Sequence, residues 1–329
     1  MSSTSITVGT ASARPGERAT GVIPAGQLAL GQPIDLPVMI VNGTHDGPTL
    51  WINASLHGNE LNGVQVASAI ANLLDPDALY GALICTPVAN PLAFQAKVRL
   101  TPQDGRNLGQ CYPGDANGEI TQRIAHAHFA EVARHADALI DLHASGVTNR
   151  AKPYGVLKFS GFPETEARAV DLLRAFGIFL NCTIDTLVPT DEPVPLTGSL
   201  DLACMALGIP AFMTEIGHAG RLEPEIVSFG IEGVRNSLRH LGMLKEEETQ
   251  FPGSVFGTKR FIVRCNASGI VVQHHEPHDF VARGDVIATI QDVYGAVIEQ
   301  VLAPVDLYIL SLKEDAVAAA GDRVAFGAS

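Results

Sequence analysis

The sequence predicts an α/β protein: a mainly parallel mixed sheet flanked by helices over residues 1–250, then a smaller all-β domain over 251–329. Two observations carry this expectation. From Pro48 onward, short apolar runs alternate with segments whose apolar residues recur at helical spacing, the β-α-β rhythm of parallel strands covered on both faces. After about Gln250 the helical spacing stops, and short β-prone runs broken by Gly, Pro and Asp take its place.

Taken in order, residues 16–42 hold two extended segments, ATGVI and LPVMIV, punctuated by Gly and Pro and expected to pair as a hairpin. TLWINASL (49–56) reads as a buried strand, ELNGVQVASAIANLLD (60–75) as a helix and GALICTPVA (81–89) as a second buried strand. An amphipathic helix over 120–136, an apolar strand over 136–144, a helix over 164–177 and a strand over 209–217 continue the alternation. In the C-terminal part, Gly284-Asp285-Val286 and Gly321-Asp322-Arg323-Val324 look like one turn used twice, which suggests a small two-fold-like sandwich.

Composition narrows the function. With 329 residues, 46% of them hydrophobic and 17% charged, the chain suits one sizeable globular domain plus a smaller one. A net charge of -13 and a pI near 5.2 leave no basic patch for nucleic acid or anionic lipid, so neither is expected as a partner. The first twenty residues lack an apolar signal core, and no apolar run approaches the roughly 20 residues of a membrane span, so a soluble protein is expected. The five cysteines form no C-x-x-C pair, which argues against a disulfide framework or a thiolate zinc site and favours a reducing cytoplasm.

The chemistry concentrates at strand ends. In Ser55-Leu56-His57-Gly58-Asn59-Glu60 a histidine closes a strand and a carboxylate follows three residues later, a spacing that lets imidazole and carboxylate converge on one zinc ion. His143 ends the strand Leu139-Ile140-Asp141-Leu142 and is the third ligand in this reading. A further apolar run, Phe212-Met213-Thr214, ends at Glu215, the candidate general base. Asp141 reads either as an acceptor orienting an imidazole or as a purely structural residue.

SLHGNELNG, ANPLAFQAKVRLTPQDGRNLGQCYPG, DLHAS and TEIGHAG resemble, in order and spacing, the succinylglutamate desuccinylase/aspartoacylase family of the zinc carboxypeptidase superfamily, over roughly residues 35–225. The resemblance implies a zinc carboxypeptidase-like fold and one zinc ion per chain. It assigns the metal to His57, Glu60 and His143, with Glu215 as the base that activates water there. It also implies a role for Arg99, which matches the arginine that polarises the substrate carbonyl. The family typically continues with Asn-Leu-Asn-Arg, the last pair gripping a substrate carboxylate. This chain has Asn107-Leu108-Gly109-Gln110 instead. Asn107, Gly109 and Gln110 are the candidate substrate-binding residues, but a neutral amide replaces a charged fork, so anion recognition at that position is expected to weaken. Arg106 and Arg150 are the alternatives considered for the missing grip.

Other signals are set aside. His126, His128 and His135 lie on one helix without an i, i+4 pair and read as surface or helix-face residues, and His274, His275 and His278 read as a solvated loop. GDVIATIQDVYGAVIEQVLAP has the rhythm of a lipoyl or biotinyl carrier hairpin but no attachment lysine near Asp292-Val293-Tyr294. The expected function is hydrolysis of a small-molecule N-acyl amine or N-acyl amino acid, with self-association left open. A carboxypeptidase-like peptide hydrolase and a zinc-binding protein with impaired catalysis are the alternatives.

Overall fold

The computed structural model of the chain describes residues 4–159, 161–187, 198–251 and 253–329. Its centre is a nine-stranded mixed sheet. From one edge to the other, its strands are Val255–Gly257, Leu180–Asp185, Tyr154–Phe159, Ala211–His218, Ala138–Ser145, His45–Ala54, Tyr80–Thr86, Pro33–Asn42 and Arg18–Gln27. Five of the eight neighbouring pairs are parallel; Ala211–His218 with Tyr154–Phe159 and the two pairs nearest the N-terminal edge are antiparallel. The middle strands are the continuous apolar runs of the sequence, because helices cover both faces: Leu50, Trp51, Ile52, Leu139, Ile140 and Phe212 are fully buried. The paired segments of residues 18–42 form the expected antiparallel hairpin.

The helix Pro224–His240 and the strands Tyr154–Phe159 and Leu180–Asp185 have no counterpart in the sequence reading. The first strand hides its character because Lys158 interrupts its apolar run, and that charge is buried against Asp201.

Beyond residue 260 the described elements are all strands, packed as two sheets around a separate apolar cluster that includes Val263, Val281, Ile287, Ile290, Ile309 and Val324. The repeated turn is real. Gly284 and Gly321 adopt φ of 92° and 91°, and the aspartates that follow accept from the amides of Ala282 and Ala319 at 2.9 and 3.1 Å. A left-handed φ favours glycine, since a Cβ there collides with the following carbonyl. Two contacts tie this β region to the large sheet: Val255–Gly257 joins that sheet, while Asn149–Ala151 pairs with Leu307–Lys313. A third apolar cluster containing Tyr154, Val156, Cys182, Leu310 and Ala328 fills the space between. Among the described residues no disulfide joins the cysteines, and no helix is long and apolar enough to cross a membrane.

His126 and His274 are exposed as expected, but the readings of His128 and His278 need correction. His128 is fully buried, because its position on the helix Ile120–His135 falls on the apolar stripe of Ile124, Ala125 and Val132. Its Nδ1 shares a 2.9 Å hydrogen bond with the Tyr112 hydroxyl. His278 is half-buried and bonds the Pro153 carbonyl at 3.1 Å, so the 274–278 cluster is not simply a solvated loop. Burial pushes the His128 imidazole down to about 4. An unfolded chain then takes up this proton as pH falls below about 6.5 and the native state does so only near 4, so stability is lost across that window. We expect about 2 kcal/mol of acid destabilisation between pH 8 and pH 5 from this group. Urea unfolding of wild type and His128→Gln should show the gap between them closing by that amount, and parallel pH curves would refute the assignment.

Candidate active site

Three adjacent parallel strands deliver the candidate residues to one end of the sheet. His57 follows His45–Ala54, His143 lies on Ala138–Ser145, and Glu215 lies on Ala211–His218 directly in register with His143. The chain leaves the first strand through Ser55, which holds a left-handed φ of 49° while fully buried, a local strain of the kind that collects at functional sites. Gly58 then passes so close to the helix Pro91–Ala96 that a Cβ would lie 1.9 Å from the Ala93 carbonyl carbon, so the His57–Glu60 turn has no room for another residue there.

His57, Glu60 and His143 are buried, and their donor atoms lie within 4.8 Å of one another. His57 Nδ1 is 2.8 Å from Glu60 Oε1, His143 Nδ1 is 2.9 Å from Glu60 Oε2, and the two Nδ1 atoms are 3.2 Å apart. Ligands at roughly 2.0–2.2 Å from a tetrahedral ion sit about 3.3–3.6 Å from each other, so a small outward shift of these side chains from their 2.8–3.2 Å spacing would seat a single small cation. The far sides of both rings are occupied as well: His57 Nε2 bonds Asn107 Oδ1 at 3.0 Å and His143 Nε2 bonds Asp141 Oδ2 at 3.1 Å. Acceptors on Nε2 fix its proton there and leave each Nδ1 lone pair for a metal. Asp141 is therefore on the imidazole face, held in turn by Asn53 Nδ2 at 2.6 Å.

The electrostatics set the carboxylates apart. Burial works against ionisation of Glu60, yet the charges and hydrogen bonds of His57 and His143 hold it well below the usual carboxylate range. Glu215 moves the other way, raised first by burial and then by the Glu60 charge, and its Oε2 is shut off from solvent, with no hydrogen-bond partner among the described residues. Glu60, which touches both histidines, and Glu215, in register with His143 on the neighbouring strand, thus have opposite proton affinities.

A cavity of about 320 Å³ opens on the cluster and is lined by His57, Arg99, Asn107, Gly109, Gln110 and His143 among others. All the candidate substrate-side residues therefore reach it. Half-exposed Arg99 donates to Glu60 Oε1 at 3.1 Å. Asn107 also accepts from the Gly109 amide at 2.9 Å, which makes it a support for His57 as well as a wall residue. A side chain at Gly109 would begin 3.7 Å from His57 Nε2. Neither alternative arginine lines this cavity or the smaller one beside it: Arg106 pairs with Glu119, and Arg150 pairs with Glu276 at 2.9 Å.

Sequence reasoning missed the residues that close the cavity from elsewhere. Lys158 lines its wall with the ammonium locked 2.8 Å from both oxygens of buried Asp201. Arg260, Ile262, Arg323 and Phe326 come from the β region. Arg323 stood in plain view after the repeated Gly-Asp turn, but nothing local shows that its strand faces a cavity formed by residues more than a hundred positions away.

A mainly parallel α/β domain that brings two histidines and two glutamates to the carboxyl ends of its strands belongs with the hydrolases, where such groups handle water and protons. Residues 46–241 match the model of the succinylglutamate desuccinylase/aspartoacylase catalytic domain, and the chain belongs to that family. An N-alpha-acetyl-L-2,4-diaminobutyric acid deacetylase from Halomonas elongata is 28% identical over 269 residues, spanning 78% of this chain and 74% of the relative. Among solved structures, an aspartoacylase family protein from Mesorhizobium loti aligns with a TM-score of 0.80 at 27% identity, covering 96% of this chain and 95% of its own. The product-bound ectoine utilization protein EutE (DoeB) from Ruegeria pomeroyi shares the fold at a TM-score of 0.81 and 24% identity, covering 95% of both chains.

Proposed function

We propose that this protein is a zinc-dependent deacylase, using one ion per chain, that hydrolyses the amide bond of a small N-acyl amine or N-acyl amino acid. The observation that carries the reading is the convergence of His57 Nδ1, His143 Nδ1 and Glu60 next to the strand that bears Glu215, whose buried Oε2 has no hydrogen-bond partner among the described residues. The family membership and the deacetylase activity named for the Halomonas elongata relative support amide cleavage. His57, Glu60 and His143 would hold the ion, which when bound polarises a carbonyl and lowers the pKa of water toward about 7.

The chain's own groups do the rest. Glu215, with its raised proton affinity, takes the proton of the attacking water and passes it to the departing amine nitrogen. Arg99 presents a guanidinium to the oxygen that gains charge as the carbonyl carbon becomes tetrahedral. Asp141 and Asn107 keep the imidazoles oriented throughout. Leu56, Val156, Ile184 and Met213 line the cavity with apolar surface, so the acyl group and side chain it accepts are small. We place the protein in the cytoplasm, consistent with five cysteines that form no C-x-x-C pair and, among the described residues, no disulfide, with a small molecule as its partner.

Zinc-loaded protein should be assayed on N-acyl amino acids, N-acyl diamines and short peptides. Acyl release from the first two groups is expected at a kcat/KM about tenfold or more above C-terminal trimming of peptides. Preferential trimming would make the enzyme a carboxypeptidase, and full zinc content with no turnover of any substrate would leave a binding protein.

A further inference from the structure

Four cations line the main cavity: Arg99, Lys158, Arg260 and Arg323. Arg99 donates to Glu60, and Lys158 is committed to Asp201 and to Ser199 at 3.1 Å. Arg323 differs. Among the described residues no carboxylate lies within ion-pair distance of its guanidinium, which sits with its carbon 5.9 Å from the centre of the Phe326 ring. It also borders a second cavity of about 290 Å³, lined by Arg99, Ser145, Asn149, Tyr154, Glu215 and Ser311, so it stands where the two spaces meet around the catalytic groups.

We propose that Arg323 is the carboxylate-receiving residue of this enzyme: the preferred substrate is an N-acyl amino acid whose free carboxylate pairs with a guanidinium supplied by the C-terminal β region. This rests on the deacylase reading above. Gln110 stands where a charged fork is missing, and Arg106 and Arg150 are engaged elsewhere, so neither of those positions supplies the grip. In a chain with a net charge of -13 an organic anion needs a local cation to enter at all. A guanidinium offers parallel N–H donors matched to a carboxylate, and the aromatic ring beside it limits the orientations it must give up on binding. Half-buried at a cavity wall, such a pair is screened less than one on the open surface.

The rival role for Arg323 is electrostatic, since its charge also favours the ionised form of Glu215. A group acting only through Glu215 affects every substrate alike, whereas a carboxylate receptor affects only those that carry the carboxylate. The test is kcat/KM for an N-acetyl amino acid and for its carboxamide, with zinc-loaded wild type, Arg323→Gln and Arg323→Lys. Wild type should prefer the free acid at least about tenfold, Arg323→Gln should reduce that ratio by about ten- to a hundredfold, mainly through KM for the acid, and Arg323→Lys should recover part of it. An unchanged ratio in Arg323→Gln, or a wild type that favours the carboxamide, overturns the proposal. Calorimetric binding of the free amino acid and its amide to wild type and Arg323→Gln gives the same comparison without turnover. Acid preference in binding, lost in Arg323→Gln, with no hydrolysis upholds the carboxylate site and sinks the deacylase reading instead.

Discussion

Glutamine at position 215 is expected to leave zinc at one equivalent while lowering kcat by about 10²- to 10⁴-fold, the range for loss of a positioned general base. The substitution keeps the shape of the side chain and removes only its capacity to carry a proton. It should not weaken the fold. The native site raises the Glu215 proton affinity by burial and by the nearby Glu60 charge, which means an ionised carboxylate is disfavoured there and a neutral amide is not. A melting temperature equal to or above that of wild type, with normal metal content and collapsed single-turnover rate, assigns the loss to chemistry. Departure of zinc would make Glu215 a ligand instead, and undiminished turnover would remove it from the mechanism.

His143→Ala and His57→Ala should each lose both bound zinc and activity, since two remaining donors do not complete a four-coordinate site with one open position. The effect is expected to exceed that of any other single change: zinc content should fall below about a tenth of an equivalent after dialysis, with turnover at background. Asp141→Asn supplies the graded control. It keeps a hydrogen-bond acceptor near His143 Nε2 but removes the charge, and outer partners of this kind typically cost about ten- to a hundredfold in metal affinity. Metal analysis across the three variants should therefore give loss, loss and weakening. Full zinc retention in either alanine variant would show that the ion sits elsewhere.

The parts of this site that were readable in one dimension share a property: each is reported by its own neighbours. A buried run of apolar residues that stops at a histidine or glutamate marks the carboxyl end of a strand, and parallel strands bring such ends together, so His57, His143 and Glu215 announce their convergence before any fold is known. The alternation of strands and helices is local in the same sense, because burial on one or both faces dictates a period. Where that local signal was broken the reading failed. Lys158 interrupts the strand Tyr154–Phe159, and its charge is tolerated only because Asp201, forty-three positions later, folds against it. His128 reads as a surface or helix-face residue because the helix carries no i, i+4 histidine pair, while its helical position places it on the buried stripe, bonded to Tyr112.

The walls of the cavity were decided only in three dimensions. Arg260, Arg323 and Phe326 lie in short strands whose sequences specify alternation and turns but not which sheet they face, and that choice is made by the apolar cluster that Tyr154, Val156 and Cys182 share with Leu310 and Ala328. By itself the sequence determined the α/β class, the repeated β turn and the four residues that converge at the strand ends, because these depend on short-range periodicity and on the geometry of parallel strands. The tertiary structure alone decided which cations surround that centre, because the charge of a side chain is written locally while the cavity it faces is formed by whichever distant surface hydrophobic packing brings against it.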